Sequence, residues 1–585
     1  MTKLFYDLKT HFTYDDGLYW VKPTANRVNT MFKWANEPSR DFMSKGYLVE
    51  GETIEQRAAD IAKAVRDYYT KASGFQLSSK QIEEKVYEYI GKGFYSLSSP
   101  FLSNAFRDRG LPISCNNVTI EDDMSDIIYK TAEVSRQTQK GAGTSGYFGK
   151  IRPRGSYIST GGKADGPVHY MSLLETSTDV ISQGSVRRGN FAAYLDVDHP
   201  DIMEFLEARE GDHYIQKLSL GVCISDDFMN RCMNLDPKAN EILGRIQKKR
   251  DETGYPYIFF SDTVNRNKPA HYKDYTILGS NLCSEICQPS TEDESFVCCL
   301  MSMNLATIDE WFDTDAVEIA LVMMDAVMED YLNKIKDDPL MRTSYNSAKK
   351  WRAVGIGTLG YHTALQKLGY PFESEQARRF NTFAHKTIWE RLEKRTKELA
   401  EIFGEPEGLK GTGRRNGTLT AIAPTTSSSF ILGQVSPSIE PLAGNIVTKD
   451  LAKGKYTWKN PELEKVLESY GKNNSETWAS INDNYGSVQH LDYLSDNEKL
   501  IFKTFPEISM REVVGQAADR QKYLDQSQSL NLTFHPETPV ADTVAIMFEA
   551  WALGVKTLYY QRPFKNKAQA TAKKLSEMYC VSCEA

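Results

Sequence analysis

Short apolar runs alternate with long segments of helical period along most of this chain, and that alternation restricts its fold more than any other feature. Candidate strands lie at 191–195 (FAAYL), 218–224 (LSLGVCI) and 555–560. Candidate helices lie at 53–68, 79–89, 125–138, 201–209, 361–369, 375–403 and about 494–504, with a strand–helix pair near 542–552. Thr53 and Gln56 have the spacing of a capping box, and Ile54, Ala58, Ile61, Val65 and Tyr68 follow at helical intervals. Residues 316–331 are apolar around most of their circumference, which predicts a buried helix. Pro100 and Pro112 make 95–117 loop-rich. Alternation of this kind, with no repeat period, predicts an α/β architecture around a central sheet or barrel.

Size and charge narrow the partners. The chain has 585 residues, 70 basic against 78 acidic, for a net charge of −8. A dedicated binder of nucleic acid or of an anionic membrane is not expected, although a local basic pocket for phosphates stays open. The longest apolar run in the middle of the chain, Ile319 to Met324, is far short of a membrane span, and the N-terminus MTKLFYDLKTHF has no apolar signal segment. A soluble intracellular protein is expected, in the cytoplasm (the host's, if the source is viral).

Glycines crowd 141–189 in GAGTSG, RPRGS, STGGKADGP and SQGSVRRGN, which reads as long binding loops. Two stretches match G-x-G-x-x-G, at Gly141-Gly143-Gly146 and Gly355-Gly357-Gly360. Neither follows a clear strand and neither continues into Gly-Lys-Ser/Thr, so both read as tight turns or anion-cradling loops rather than dinucleotide sites.

Nine cysteines are too few for a disulfide scaffold, and their placement is the point of interest: four lie between Cys283 and Cys299, Cys115 ends LPISC, and Cys580 and Cys583 nearly end the chain. In Asn281-Leu282-Cys283-Ser284-Glu285 an extended backbone would aim an amide, a thiol and a carboxylate one way. That is either an active centre or a surface strand with one buried cysteine. Cys580-x-x-Cys583 supplies only two metal ligands, with no further His or Cys nearby, whereas a redox pair on a mobile arm needs only a target disulfide elsewhere. Tyr559-Tyr560 is either packing or a path for one-electron transfer.

Taken together these segments resemble the catalytic large subunit of class I ribonucleotide reductase. The resemblance runs from about residue 30 to the C-terminus through SLSSP (96–100), LPISC (111–115), SQGSVRRGN (182–190), NLCSE (281–285), VCCLMSMNL (297–305), PTTSS (424–428), KTLYYQ (556–561) and CVSC (580–583), in the family's order. It implies a ten-stranded α/β barrel of two half-barrels with a central finger loop over 96–560, a mainly helical region over 1–95 and a redox tail over 561–585. It also implies reduction of ribonucleoside diphosphates to deoxyribonucleoside diphosphates. Cys283 is then the thiyl-forming cysteine, with Asn281 and Glu285 as its polar neighbours and Glu285 as general base. Cys115 and Cys298, rather than Cys299, are the reducing dithiol. Tyr559 and Tyr560 relay the radical from a small subunit, and Cys580 and Cys583 re-reduce the internal disulfide.

The resemblance places the substrate diphosphate on Thr425, Thr426, Ser427 and Ser428, with Ser99, Ser114 and Ser429 as further candidates and the dipole of a helix expected at Phe430. Relatives often have an acid in this loop where this chain has Thr. Asp122 and Arg152 match the binding site of an allosteric dNTP or ATP effector, with Gln183 and Arg187 bridging effector to substrate. Ser185 stands where Gly is usual. Expected partners are the metal-containing small subunit that supplies the radical, a second large subunit, and thioredoxin or glutaredoxin, with no metal or other cofactor bound in this chain. Since 114 residues precede Cys115 and family-like sequence fills most of them, the short form without an N-terminal ATP-binding regulatory domain is expected. An adenosylcobalamin-dependent reductase shares NLCSE and a terminal thiol pair, but not a role for the two tyrosines. A non-catalytic thiol–disulfide protein or a zinc scaffold is the alternative outside the family.

Overall fold

A computed structural model describes residues 12–15, 18–21, 31–70, 78–159, 161–181, 189–451 and 454–563. Five strands, Cys115–Thr119, Gly143–Tyr147, Phe191–Asp196, Ser219–Ile224 and Tyr257–Phe260, pair in parallel in that order. Parallel neighbours need crossovers, and the helices Met124–Gln139, Pro167–Val180, Ile202–Glu207 and Pro237–Thr253 supply them. Residues 115–119 and 219–224 are buried throughout, as expected of strands covered on both faces.

A second parallel set completes the ring. Phe296–Asn304 pairs with Val354–Leu359. Val354 and Ile356 N–H groups then bond the carbonyls of Thr418 and Leu419 at 3.2 and 2.8 Å. Residues 418–422 meet 526–530 through a parallel bridge, Ile422 with Gln528, and Leu530 O accepts from Tyr559 N at 2.9 Å. Two antiparallel seams join the halves. Cys115 lies opposite Cys298 at one, and Thr557 and Leu558 lie opposite Phe259 and Ile258 at the other. The expected ten-stranded barrel of two half-barrels is present, two of its strands being irregular.

Helices Ile54–Tyr69 and Ser79–Gly91 precede the barrel, both with the capping box at their N-termini. They pack on Ala316–Ile335, the expected buried helix, and share one continuous apolar core with the barrel wall. A smaller lobe carries its own core, with Leu463, Leu467, Trp478, Ile481 and Phe502. Among the described residues no helix is long and apolar enough to cross a membrane.

Several expected loops are regular structure. The loop-rich reading of 95–117 gives way to a strand, Tyr95–Leu97, and a helix, Ser99–Asn104. Pro100 sits in the first turn of that helix, where its missing N–H costs nothing. Within the glycine tract, Gly143–Tyr147 is a barrel strand and Pro167–Val180 a helix. Gly355 and Gly357 lie in a strand, not a turn. A Cβ on Gly355 would come within 2.7 Å of Leu300 Cδ2, and one on Gly357 would run into the Ala421 carbonyl, so bare backbone lets 418–422 close against this strand. The 542–552 region is one helix, Val540–Ala552, and the helix near 494–504 spans only Asp496–Ile501.

Candidate active site

A loop, residues 278–290, leaves the wall and threads the barrel between its halves. On one side the Ser280 carbonyl accepts from Asn117 Nδ2 at 3.1 Å and Ser145 Oγ at 2.7 Å, and the Asn281 carbonyl accepts from Tyr194 Oη at 2.8 Å. On the other, Ser527 N donates to Glu285 O at 2.8 Å and Gln526 Oε1 accepts from Cys287 N at 3.2 Å. The extended backbone expected for 281–285 is not what forms. Ser284 has φ +66 and its N–H closes a turn on Asn281 O at 3.2 Å, so the backbone reverses here. The turn still brings Asn281, Cys283 and Glu285 together at its tip, all at most 3% exposed.

Two kinds of chemistry converge there. The Cys283 thiol lies beside the Tyr559 hydroxyl, close enough to raise its pKa. From Tyr559 the rings continue to Tyr560, with centroids 4.3 Å apart, and Tyr560 Oη lies 3.1 Å from Tyr255 Oη. Tyr257 packs against both, at 4.6 and 5.1 Å. Burial pushes the Tyr559 and Tyr560 phenols well above their ordinary range, so both are neutral O–H groups in this setting.

Past the turn, Glu285 Oε1 accepts from Cys115 Sγ at 3.8 Å and Oε2 from Ser529 Oγ at 3.0 Å. Desolvation raises the Glu285 carboxyl to about 7, against partial relief from its own backbone N–H, Asn281, Ser529 and Cys115. The Asn281 amide lies near enough to contribute, yet its Nδ2 makes no hydrogen bond. Its Nδ2 is therefore buried with a donor to spare, while its Oδ1 is held by Ile286 N at 3.1 Å.

Cys115 faces Cys298 across the first seam, and both thiols join one apolar cluster with Ile286, Ala421 and Ala423. Burial raises both thiols well above their usual range, with Glu285 adding to the effect on Cys115. Gln526 Nε2 donates to Cys298 Sγ at 3.5 Å. Neighbouring strand residues face opposite ways, and Cys299 Sγ accordingly contacts Met324 Sδ at 3.6 Å on the outer helix. Cys298 is the residue placed to pair with Cys115.

The comparisons agree with this geometry. The model of the ribonucleotide reductase barrel domain matches residues 113–237, 232–412 and 406–561. The chain belongs to the ribonucleotide reductase large-subunit family. It is 36% identical to the putative ribonucleoside-diphosphate reductase large subunit of Frog virus 3 over 85% of this chain and 90% of that protein. It is 34% identical to the large subunit of Invertebrate iridescent virus 3 over 93% and 97%. The solved class Id ribonucleotide reductase alpha subunit of Actinobacillus ureae superposes with a TM-score of 0.86 at 45% identity, covering 92% of this chain and 99% of that one.

Other residues expected at the reductase site are distributed as follows. The stretch expected to be a Ser/Thr loop at 424–429 is largely helix, Thr426–Ile431, starting four residues before the expected Phe430. Thr425 Oγ1 accepts from Ser438 N at 2.7 Å, Ser429 Oγ donates to Thr426 O, and Ser427 and Ser428 are buried. Ala423 ties this segment to the thiol cluster. Ser99 Oγ donates to Tyr47 Oη at 3.3 Å, and Ser114 sits beside Cys115. Asp122 and Arg152 are brought together on the barrel exterior, Oδ2 to Nε 2.6 Å. Gln183, Ser185, Arg187, Cys580 and Cys583 lie outside the described residues. Among the described residues no group of three His, Cys, Asp or Glu side chains is arranged to hold a metal ion. Tyr194, Tyr255, Tyr257, Gln526 and Ser529 were not evident from sequence. Each carries a common residue type, and only the ring closure brings it to the loop.

Proposed function

We propose that this chain is the catalytic subunit that reduces ribonucleoside diphosphates to 2′-deoxyribonucleoside diphosphates by radical chemistry. The observation that supports it best is the convergence, on one buried turn, of a thiol beside a run of tyrosines and a carboxyl hydrogen-bonded to one thiol of a facing pair. In this reading a separate small subunit supplies the one-electron oxidation, as in class I reductases. Tyr560 and Tyr559 pass it to Cys283, each losing and regaining a phenolic hydrogen. The Cys283 thiyl takes hydrogen from C3′ of the ribose. Glu285, poised near neutrality, accepts the 3′-hydroxyl proton, and the spare Asn281 amide donor holds the sugar hydroxyls. Cys115 donates a proton as the 2′-hydroxyl leaves as water. Cys115 and Cys298 give up two electrons and form a disulfide, and Cys283 returns hydrogen to C3′, which regenerates its radical.

The same reading puts the diphosphate on Thr425, Thr426, Ser427 and Ser428, with Ser99 and Ser114 nearby, and an effector nucleotide on Asp122, Arg152, Gln183 and Arg187. Cys580 and Cys583 re-reduce Cys115–Cys298 with electrons from thioredoxin or glutaredoxin. Residues 96–560 form the catalytic unit, 1–95 a mainly helical region and 561–585 the redox tail. The test is reduction of CDP by the chain mixed with a diiron or dimanganese small subunit. Cys283→Ser should abolish deoxynucleotide formation and leave nucleotide binding intact, since an O–H bond is too strong to be exchanged reversibly with C3′–H. Product at a substantial fraction of the wild-type rate would overturn the assignment.

A further inference from the structure

Ser529 stands on an irregular barrel strand, its N–H bonded to Ile422 O at 2.9 Å. Its buried hydroxyl meets two acceptors, the Cys283 carbonyl at 2.6 Å and Glu285 Oε2 at 3.0 Å. A hydroxyl has one proton to give and two lone pairs to offer. When Glu285 is ionised, it competes with the Cys283 carbonyl for that proton. When Glu285 is protonated, its O–H donates to Ser529 and frees the serine proton for the carbonyl, making a directed chain from carboxyl to hydroxyl to peptide oxygen. We infer that Ser529 is a positioning residue that couples the protonation state of Glu285 to the anchoring of the Cys283 backbone. This rests on the reading of Glu285 as the base. It adds that once Glu285 has taken the substrate proton, the turn carrying Cys283 tightens, before the thiol must return hydrogen to C3′. No atom is transferred; the Glu285–Ser529 hydrogen bond reverses direction and the serine proton turns fully to the Cys283 carbonyl.

The surroundings leave Ser529 as the switchable contact. Groups facing Glu285 are Cys115 and Cys298 from two neighbouring strands, Tyr194 from a third, and Cys287 on the loop itself. Burial raises every one of them, so they stay neutral around pH 7. Lys556, behind Cys287, is engaged by the Asn267 and Asp525 carbonyls.

The experiment measures Glu285 titration in the isolated chain by its infrared carboxyl band, assigned by its loss in Glu285→Gln, beside the pH dependence of CDP reduction with the small subunit. The base must be ionised, so activity falls as pH drops through its pKa. Ser529→Ala removes a donor to the carboxylate and should move both the infrared midpoint and the acid limb of kcat upward, by about half a pH unit or more. It should also lower kcat about tenfold, with KM within about threefold. Ser529→Thr keeps the hydroxyl and should restore both. If Ser529→Ala does not fold, Ser529→Cys, close in volume but a weaker donor, must show the same upward movement. An unmoved midpoint, or a Thr variant displaced as far as Ala, would overturn the inference. Substantial CDP reduction by Glu285→Gln would instead overturn the base assignment, and the infrared titration, which needs no turnover, separates the two.

Discussion

Glu285→Gln should make the protein more stable at alkaline pH while abolishing its turnover. A carboxyl near 4.5 in an exposed chain and at about 7 in the barrel holds its proton more tightly when folded, by about 3 kcal/mol at about 1.4 kcal/mol per pH unit. The sign follows from proton counts. Between those pH values the folded state keeps the proton and the unfolded state has lost it, so raising the pH favours unfolding. The loss starts as pH rises past the unfolded value and is complete above about 7. Glutamine fills the same space, cannot ionise and escapes it. The stability difference, variant minus wild type, should therefore grow by about 2 to 3 kcal/mol from pH 5 to pH 8. For a chain this long that is about 2 °C in Tm, so urea unfolding followed by tryptophan fluorescence is the better assay. Other titrating groups occur in both proteins and cancel in the difference. A difference constant to within about 0.5 kcal/mol across that range would refute the argument, because it would mean that Glu285 is not desolvated as its burial requires.

The two adjacent cysteines should behave differently. Cys298→Ser should end turnover by a protein reductant and leave no Cys115 disulfide in alkylated, digested protein after one round. Cys299→Ser, which faces Met324, should keep kcat within about threefold and lose about 1 to 2 kcal/mol of stability from an unpaired buried hydroxyl. Tyr559→Phe keeps the packing with Tyr257 and Tyr560 but removes the hydroxyl beside Cys283. Radical transfer measured by deoxynucleotide formation should fall at least about a hundredfold, roughly 3 kcal/mol or more on the barrier. Effector and substrate binding should not change, and retained activity would remove Tyr559 from the path.

What the sequence revealed was decided by local signals. The capping box at Thr53 and the all-round apolar stretch at 316–331 depend on neighbours a turn away, and such patterns survive in any tertiary setting. NLCSE singled out three residues that the structure does gather, but by a wrong backbone. An alternation and a tight turn can both gather positions 281, 283 and 285, and only Ser284 at φ +66 tells them apart. The glycine tracts misled because Gly143 and Gly355 lie in strands, and what makes them strands is a partner far away in sequence. Ser529 and Tyr255 had no signal at all. Their roles exist only after the chain has closed a ring that brings residues more than two hundred positions apart into contact.

The closing geometry also accounts for the two-sided site. Within each half the strands run parallel, and the ring has its antiparallel junctions at the two seams. Directly opposed residues of an antiparallel pair put their side chains on the same face. Pairing Cys115 with Cys298 therefore sets two thiols side by side facing the interior. At the other seam, Thr557 opposite Phe259 and Leu558 opposite Ile258 carry Tyr559 forward to the level of Tyr257, where their rings meet at 4.6 Å. The threaded loop lies between, so its turn receives the tyrosines from one seam and the thiols from the other. Residues alternate between faces with a period of two, so a slip of one residue at either seam would turn its reactive groups out of the barrel. Register at these two junctions, more than any single side chain, is what lets one turn touch the tyrosine rings and the facing thiols at once.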